Sequence, residues 1–262
     1  MPEKIFSAVC NLHIAGSDVS LAVKHPDIIR FFGNFLQSYE PLAEGRLTQI
    51  SPASRAYLNK EVASIPENEW MEWLQDGGSD DAYGEFTCST AAISDALLNY
   101  NRCIMHAAAI RYKEKAWLIS GPSGAGKSTQ VRNLQLLGPE EFSVICGDRP
   151  ALQLLEDGTV FVHPSPWNGK ENWKGADGAP LGGLILLKRG NVNNFAFVPA
   201  RNAVFEILSA VIRTGETEHS IYALADFTDR FLKSVPVYRL TSFQVPDSTK
   251  LLYRHLFQEA IL

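Results

Sequence analysis

The chain has 262 residues, 45% of them hydrophobic and 20% charged, with a net charge of −5. This is the composition of an ordinary globule with room for one large domain or two small ones. It offers no basic run for nucleic acid, no apolar run long enough to span a bilayer, and no signal-peptide pattern in its first residues. The expected compartment is therefore the cytoplasm. Cys10, Cys88, Cys103 and Cys146 are widely spaced without a C-x-x-C pair, which fits buried thiols and no zinc site.

In chain order, strands are expected at Lys4 to Ile14 and Val19 to Val23, joined by a turn at Gly16-Ser17-Asp18. Residues 28–39 are mixed and apolar and fit either element. Helices are expected from Ser51 to Ile65 and from Pro66 to Leu74, then a polar loop from Gln75 to Tyr83, then a helix from Ala91 to Tyr100. From Cys103 the pattern turns strand-rich. Cys103 to Arg111 and Glu114 to Ser120 read as a hairpin about Tyr112-Lys113. Ser128 to Leu137 reads as a helix stopped by Gly138-Pro139, and Phe142 to Cys146 as a strand. Further strands are expected at 160–163, 183–188, 195–198 and 237–240, and helices at 200–213, 220–234 and 248–260. The fold class is α/β with a mixed β-sheet. Residues 1–100 form a smaller N-terminal α+β region, with substrate recognition as one role open to it, and residues 101–262 form a nucleotide-binding domain.

Gly121-Pro-Ser-Gly-Ala-Gly-Lys-Ser128 is a G-x-x-x-x-G-K-[ST] loop, followed by Thr129. Its glycines let backbone N–H groups converge on one concavity, where phosphate oxygens bind. Gly121, Ser123, Gly124, Ala125, Gly126, Lys127, Ser128 and Thr129 are the candidate nucleotide contacts. Lys127 is expected to reach the β- and γ-phosphates, and Ser128 to offer its hydroxyl to Mg²⁺. An apolar strand precedes the loop and a helix follows it, which puts a helix N-terminus behind the phosphate. The expected ligand is a nucleoside triphosphate, ATP, with Mg²⁺.

Three further features surround the loop. His106 lies on the strand expected to pair with the one feeding the loop, and it is either a core histidine or a phosphate-facing one. Asp148 follows an apolar strand at the Walker B position, so it is either a Mg²⁺ ligand and proton acceptor or an ordinary turn residue. Arg149 beside it either serves the phosphates or pairs with Asp148 or Asp157. The run Ser165-Pro166-Trp167-Asn168-Gly169-Lys170-Glu171 is either a surface turn or part of the site. In the second case Trp167 and Lys170 wall an acceptor groove and Glu171 binds metal; the alternative is that Trp167 plugs the core and Lys170 is solvated.

Taken together, Met105-His106-Ala107, the Gly121–Ser128 loop, Gly147-Asp148-Arg149 and residues 165–171 resemble the HPr kinase/phosphorylase-like family, which shares its fold with ATP-dependent phosphoenolpyruvate carboxykinase. The resemblance covers residues 103–188. It implies that Asp148 accepts the proton in kinase action, that Lys127 and His106 line the phosphates, and that Ser128 binds Mg²⁺. The chain departs from the family where Gly147 replaces the first of two consecutive Asp residues and where Thr129 replaces a Glu. The family's Glu-x-Arg-Gly segment finds no counterpart, and Glu171 substitutes for its Glu by position only. The whole chain is more similar to HPr-kinase-related proteins of bacteria, some of which phosphorylate serine in peptides encoded nearby. The identity of the acceptor does not transfer.

The leading expectation is an enzyme, a P-loop kinase that moves the γ-phosphoryl group of ATP to a hydroxyl. Its acceptor is a serine of a protein or peptide, or a small molecule. The alternative is a nucleotide-binding regulatory or adaptor module without efficient transfer. Phosphoenolpyruvate-carboxykinase-like chemistry lacks a clear ligand set. Expected partners exclude nucleic acid and membrane, and homo-oligomerisation stays open.

Overall fold

Alternation of buried and exposed residues builds the first sheet. In β1 (Ala8–Ile14), Ala8, Cys10, Leu12 and Ile14 are buried while the intervening side chains face outward. β2 (Ser17–Val23) folds back on β1 through Ala15-Gly16. Both turn residues have positive φ, 52° and 72°, as a two-residue hairpin turn requires. β3 (Leu36–Pro41) pairs with the other side of β1. The ambiguous stretch 28–39 thus holds both kinds of element: a short helix α1 (Ile29–Phe32), a 3-10 turn (Gly33–Phe35) and then the start of β3.

The computed structural model describes residues 7–23, 25–41, 80–138, 140–213 and 218–258. The helices expected over 51–65 and 66–74 lie outside the described residues. Helix α2 (Asp80–Leu98) begins well before the expected Ala91 and takes in the end of the expected loop. Gly84, Thr87 and Thr90 lower its local helix propensity. Burial of Ala82, Phe86, Ile93 and Leu97 along one side overrides that preference.

The described residues then form a nine-stranded mixed sheet. Its strands are β4 (Arg102–Ile104), β5 (Ala107–Tyr112), β6 (Lys115–Ser120), β7 (Phe142–Cys146), β8 (Ala151–Leu154), β9 (Val160–His163), β10 (Ala179–Arg189), β11 (Asn194–Val198) and β12 (Val237–Ser242). β10 runs parallel to both β6 and β12, and the other pairings are antiparallel. The protein is therefore α/β with a mixed sheet. The period of two assigns each strand's residues to opposite faces. Ala108, Ile110, Ile119, Ile185 and Leu187 pack under α3 (Lys127–Leu137) and α6 (Val245–Tyr253). Ala107, Ala109, Leu118, Leu184 and Leu186 pack under α4 (Val204–Ala210) and α5 (Glu218–Ser234), with β8 and β9 closing the same core. A separate apolar cluster joins Leu12, Phe32, Phe86 and Ile93 to Ile104, Ala151 and Trp167, so packing is continuous across residue 100. No helix among the described residues is long and apolar enough to cross a membrane.

The expected strand 103–111 is broken at Met105-His106 into β4 and β5, because Met105 bridges to Val211 and turns the chain. β10 begins earlier than expected, and its Gly182-Gly183 pair lies under the Trp117 ring. A Cβ on Gly183 would sit 2.7 Å from that ring and 3.2 Å from the Pro236 carbonyl oxygen. Gly183→Ala is predicted to destabilise the fold by about 1–3 kcal/mol, the usual cost of overpacking. Urea unfolding of variant and parent checks this, and equal midpoints would refute it.

Candidate functional site

The site is assembled by strand register. Ala107 pairs with Ser120 across β5 and β6, which places His106 beside the end of β6 where the glycine loop starts. The Ala107 N–H donates to the Asp148 carbonyl at 2.8 Å, which brings the segment after β7 to the same point. The Ser120 hydroxyl donates to the His106 carbonyl at 2.9 Å and fixes the break between β4 and β5.

The loop itself has the backbone its sequence implies. Gly124 and Gly126 have φ of 71° and 104°, values that side chains other than glycine rarely adopt. A Cβ at Gly121 would lie 2.4 Å from the Leu187 carbonyl oxygen, so only glycine fits so close to β10. Helix α3 starts at Lys127 with no side-chain cap and no acidic residue in its first turn. Its first N–H groups and its positive dipole end therefore face the loop without an internal partner, a setting that favours an anion.

Three predicted residues come together here. Lys127 Nζ lies 3.1 Å from His106 Nε2 and donates to the Gly121 carbonyl at 3.1 Å. His106 Nε2 lies 3.4 Å from Asp148 Oδ1. One imidazole nitrogen thus faces both a cation and a carboxylate. Protonated, it donates to Asp148; unprotonated, it accepts from Lys127. Arg149 Nε holds the other carboxylate oxygen, Oδ2, at 3.2 Å. Burial pushes the Asp148 carboxyl up, but the His106 hydrogen bond and the charges of Arg149, His106 and Lys127 outweigh it and hold the group below its ordinary value. Burial depresses the Lys127 ammonium, and Asp148 partly restores it.

Gly147, which precedes Asp148, is closely packed. A Cβ there would meet the Asn168 carbonyl oxygen at 2.4 Å and the Trp173 Cβ at 3.3 Å. The 165–172 loop thus packs on the backbone at 147 and leaves no room for a side chain. At the same loop, Gly169 (φ 73°) touches Asp148, and a Cβ there would be 3.0 Å from the Asp148 Cβ.

Trp167 does not wall a groove. It is only 4% exposed, stacks on Phe86 at 5.7 Å, and donates its indole N–H to the Phe86 carbonyl at 2.8 Å. The expected acceptor contact is instead a core anchor that fixes the loop, because a buried indole gains more from apolar packing and a satisfied N–H than from a solvent-facing position. Glu171 turns to Arg132 on α3 at 3.3 Å, and Arg132 also lies over the Trp173 ring. The carboxylate expected to bind metal is thus directed to α3. Lys170 is exposed. Arg149, expected at the substrate, is directed to Asp148 and to helix α2, where Nη1 reaches the Thr87 carbonyl at 3.0 Å and Thr90 Oγ1 at 2.9 Å.

Two residues of the region went unforeseen. Arg189 donates from the end of β10 to the Gly124 carbonyl at 2.7 Å. Gln130 anchors α3 through buried bonds with Ser248 and Thr249 of α6. Neither carries a local sequence signal, since each depends on a neighbour more than 60 positions away.

No family model matches the chain, and no curated protein matches it. Among solved structures it is similar to the Hpr(Ser) kinase/phosphatase from Coxiella burnetii, with 13% identity over 60% of this chain and 90% of that one and a TM-score of 0.36.

Two predictions follow from the geometry. Gly147→Asp is expected to destabilise the protein, because its Cβ collides with backbone and not with a movable side chain. A melting temperature equal to the parent's would show that the loop yields. The second concerns pH. A carboxyl held below its ordinary 3.8 stabilises the fold above that value and loses the contribution as pH falls through its folded value. The stability gap between the parent and Asp148→Asn should therefore narrow as pH drops below 3.8. Thermal melts across that range check it, and a gap independent of pH would contradict the electrostatic account.

Proposed function

We propose that the chain is an ATP-dependent phosphotransferase of the HPr-kinase type, moving the γ-phosphoryl group to a hydroxyl, with a serine of a protein or peptide as the preferred acceptor class. The observation that carries this reading is the placement of His106 Nε2 at 3.1 Å from Lys127 Nζ and 3.4 Å from Asp148 Oδ1, at the uncapped start of α3. Residues 101–262 act as the nucleotide-binding unit on this reading, and residues 1–100 are left to recognise the acceptor.

Each side chain has a distinct task. The loop N–H groups at 123–128 and the Lys127 ammonium bind the β- and γ-phosphates. His106, whose Nε2 is 3.1 Å from Lys127 Nζ, would face the γ-phosphate on this reading. Asp148 is ionised at neutral pH and takes the proton from the attacking hydroxyl as the new P–O bond forms and the bond to the β-phosphate oxygen breaks.

The donor set also fits a hard cation. No cluster of three or more His, Cys, Asp or Glu side chains occurs among the described residues. Mg²⁺ bound with phosphate oxygens and water needs only one or two carboxylates, so Asp148 with Ser128 suffices. Bound there, Mg²⁺ neutralises charge on the phosphates.

The adaptor reading rests on Gly147, which leaves one carboxylate where the family has two. Binding and turnover separate the readings. Lys127→Ala should lose ATP binding, measured by calorimetry, while keeping the parent's circular dichroism. Asp148→Asn should keep ATP affinity and lose ~10²–10⁴ in transfer rate, the usual worth of a positioned base. Transfer is followed with γ-labelled ATP, Mg²⁺ and cell extract, with mass spectrometry of the product. Tight binding by Lys127→Ala would refute the loop assignment. ATP binding with no labelled product in the parent would favour the adaptor.

A further inference from the structure

Asp148 is one residue past a glycine and sits on no regular element, yet both of its carboxylate oxygens have fixed partners. His106 faces Oδ1, and its own position is set by β5. Arg149 faces Oδ2, and its position is set from elsewhere. The guanidinium is anchored on helix α2, which belongs to the first hundred residues. Nη1 donates to the Thr87 carbonyl at 3.0 Å and to Thr90 Oγ1 at 2.9 Å. The Thr90 hydroxyl is itself oriented, because it donates to the Thr87 carbonyl at 2.7 Å and so turns its lone pairs to the guanidinium. Thr90 is fully buried. The same stretch of α2 also receives the Trp167 indole at the Phe86 carbonyl, and the Arg149 N–H donates to the Trp167 carbonyl at 3.1 Å.

We propose that Thr90 and Arg149 are positioning residues: helix α2 holds the Arg149 guanidinium, and the guanidinium holds the Asp148 carboxylate in register with His106 and Lys127. This rests on the reading of Asp148 as the proton acceptor. In this arrangement Nε serves Asp148 and Nη1 serves α2. The planar fork of arginine suits the task because its separate nitrogens reach the carboxylate and the helix at once. A lysine ammonium is a point charge and cannot span both. The role also gives the N-terminal region a direct hold on the site, one step removed from the chemistry.

The test uses the full chain with Thr90→Val, Thr90→Ser and Arg149→Lys. Valine matches threonine in shape and removes only the oxygen, while serine restores the oxygen. The first readout is the Arg149 Nε–H resonance, assigned by its loss in Arg149→Lys. In the parent it should be protected from exchange, in Thr90→Val exchange should accelerate, and in Thr90→Ser protection should return. The second readout is Mg²⁺-ATP hydrolysis with water as acceptor. Thr90→Val and Arg149→Lys should lower kcat about 10-fold to 100-fold with KM for ATP nearly unchanged, as small misplacements of a reacting group do. Equal exchange and equal kcat in Thr90→Val would overturn the proposal. So would a raised KM at unchanged kcat in Arg149→Lys, which would put Arg149 on the nucleotide. If the parent neither binds nor hydrolyses ATP while the exchange pattern holds, the positioning chain stands and the kinase reading fails.

Discussion

The register of β5 is the constraint on which the site depends. Its first residue, Ala107, pairs with Ser120 on one side and donates to the Asp148 carbonyl on the other. A slip of one residue would send His106 to the opposite face of the sheet and bury the wrong set of alanines. The register is held by packing on both faces. Ala107 and Ala109 fill one core, and Ala108 and Ile110 fill the other. Small residues at three of these four positions let α3 and the α4–α5 layer approach the strand closely. The same compactness brings a lysine, a histidine and a carboxylate to one point.

Much of this was legible because it is local. The glycine loop declares its own backbone, and an apolar strand before it with a helix after it fixes where the loop sits. The Asp148 position follows from the next strand end. What was illegible depends on distant partners. Helix α2 starts early because Phe86 and Ile93 find a core made partly by β1 and by Trp167, which no local window contains. Trp167 read as either a groove wall or a core plug, because an aromatic in a polar loop carries no mark of burial, and the fold makes it the plug. Its indole is taken by a carbonyl 81 residues away. Arg149 reads in sequence as serving the phosphates or pairing with Asp148 or Asp157; the fold gives the Asp148 pair and adds Thr87 and Thr90, which no local window supplies.

Gly147 acquires a physical reason of its own. The absence of a side chain there reads from sequence as the loss of a catalytic carboxylate. The structure adds that the position is filled by the Asn168 backbone, which reaches within 2.4 Å of where a Cβ would be. The loop that excludes a side chain at 147 also presses Gly169 against Asp148, so the single carboxylate that remains is confined by the same contact.

Charge completes the argument. The chain as a whole carries −5, yet at this point Lys127, Arg149 and Arg189 stand against one carboxylate, Asp148. The cations are held apart by different partners. Lys127 binds the Gly121 carbonyl, Arg149 binds α2, and Arg189 binds the Gly124 carbonyl. A single acidic group cannot neutralise the three, and the open start of α3 adds a further positive end. A second carboxylate at 147 would cancel part of that field, and the packing there forbids one. The region is therefore locally electropositive inside an acidic protein. Such a field favours an anion at the loop. The charges of Arg149, His106 and Lys127 in the same region also hold the Asp148 carboxyl below its ordinary value.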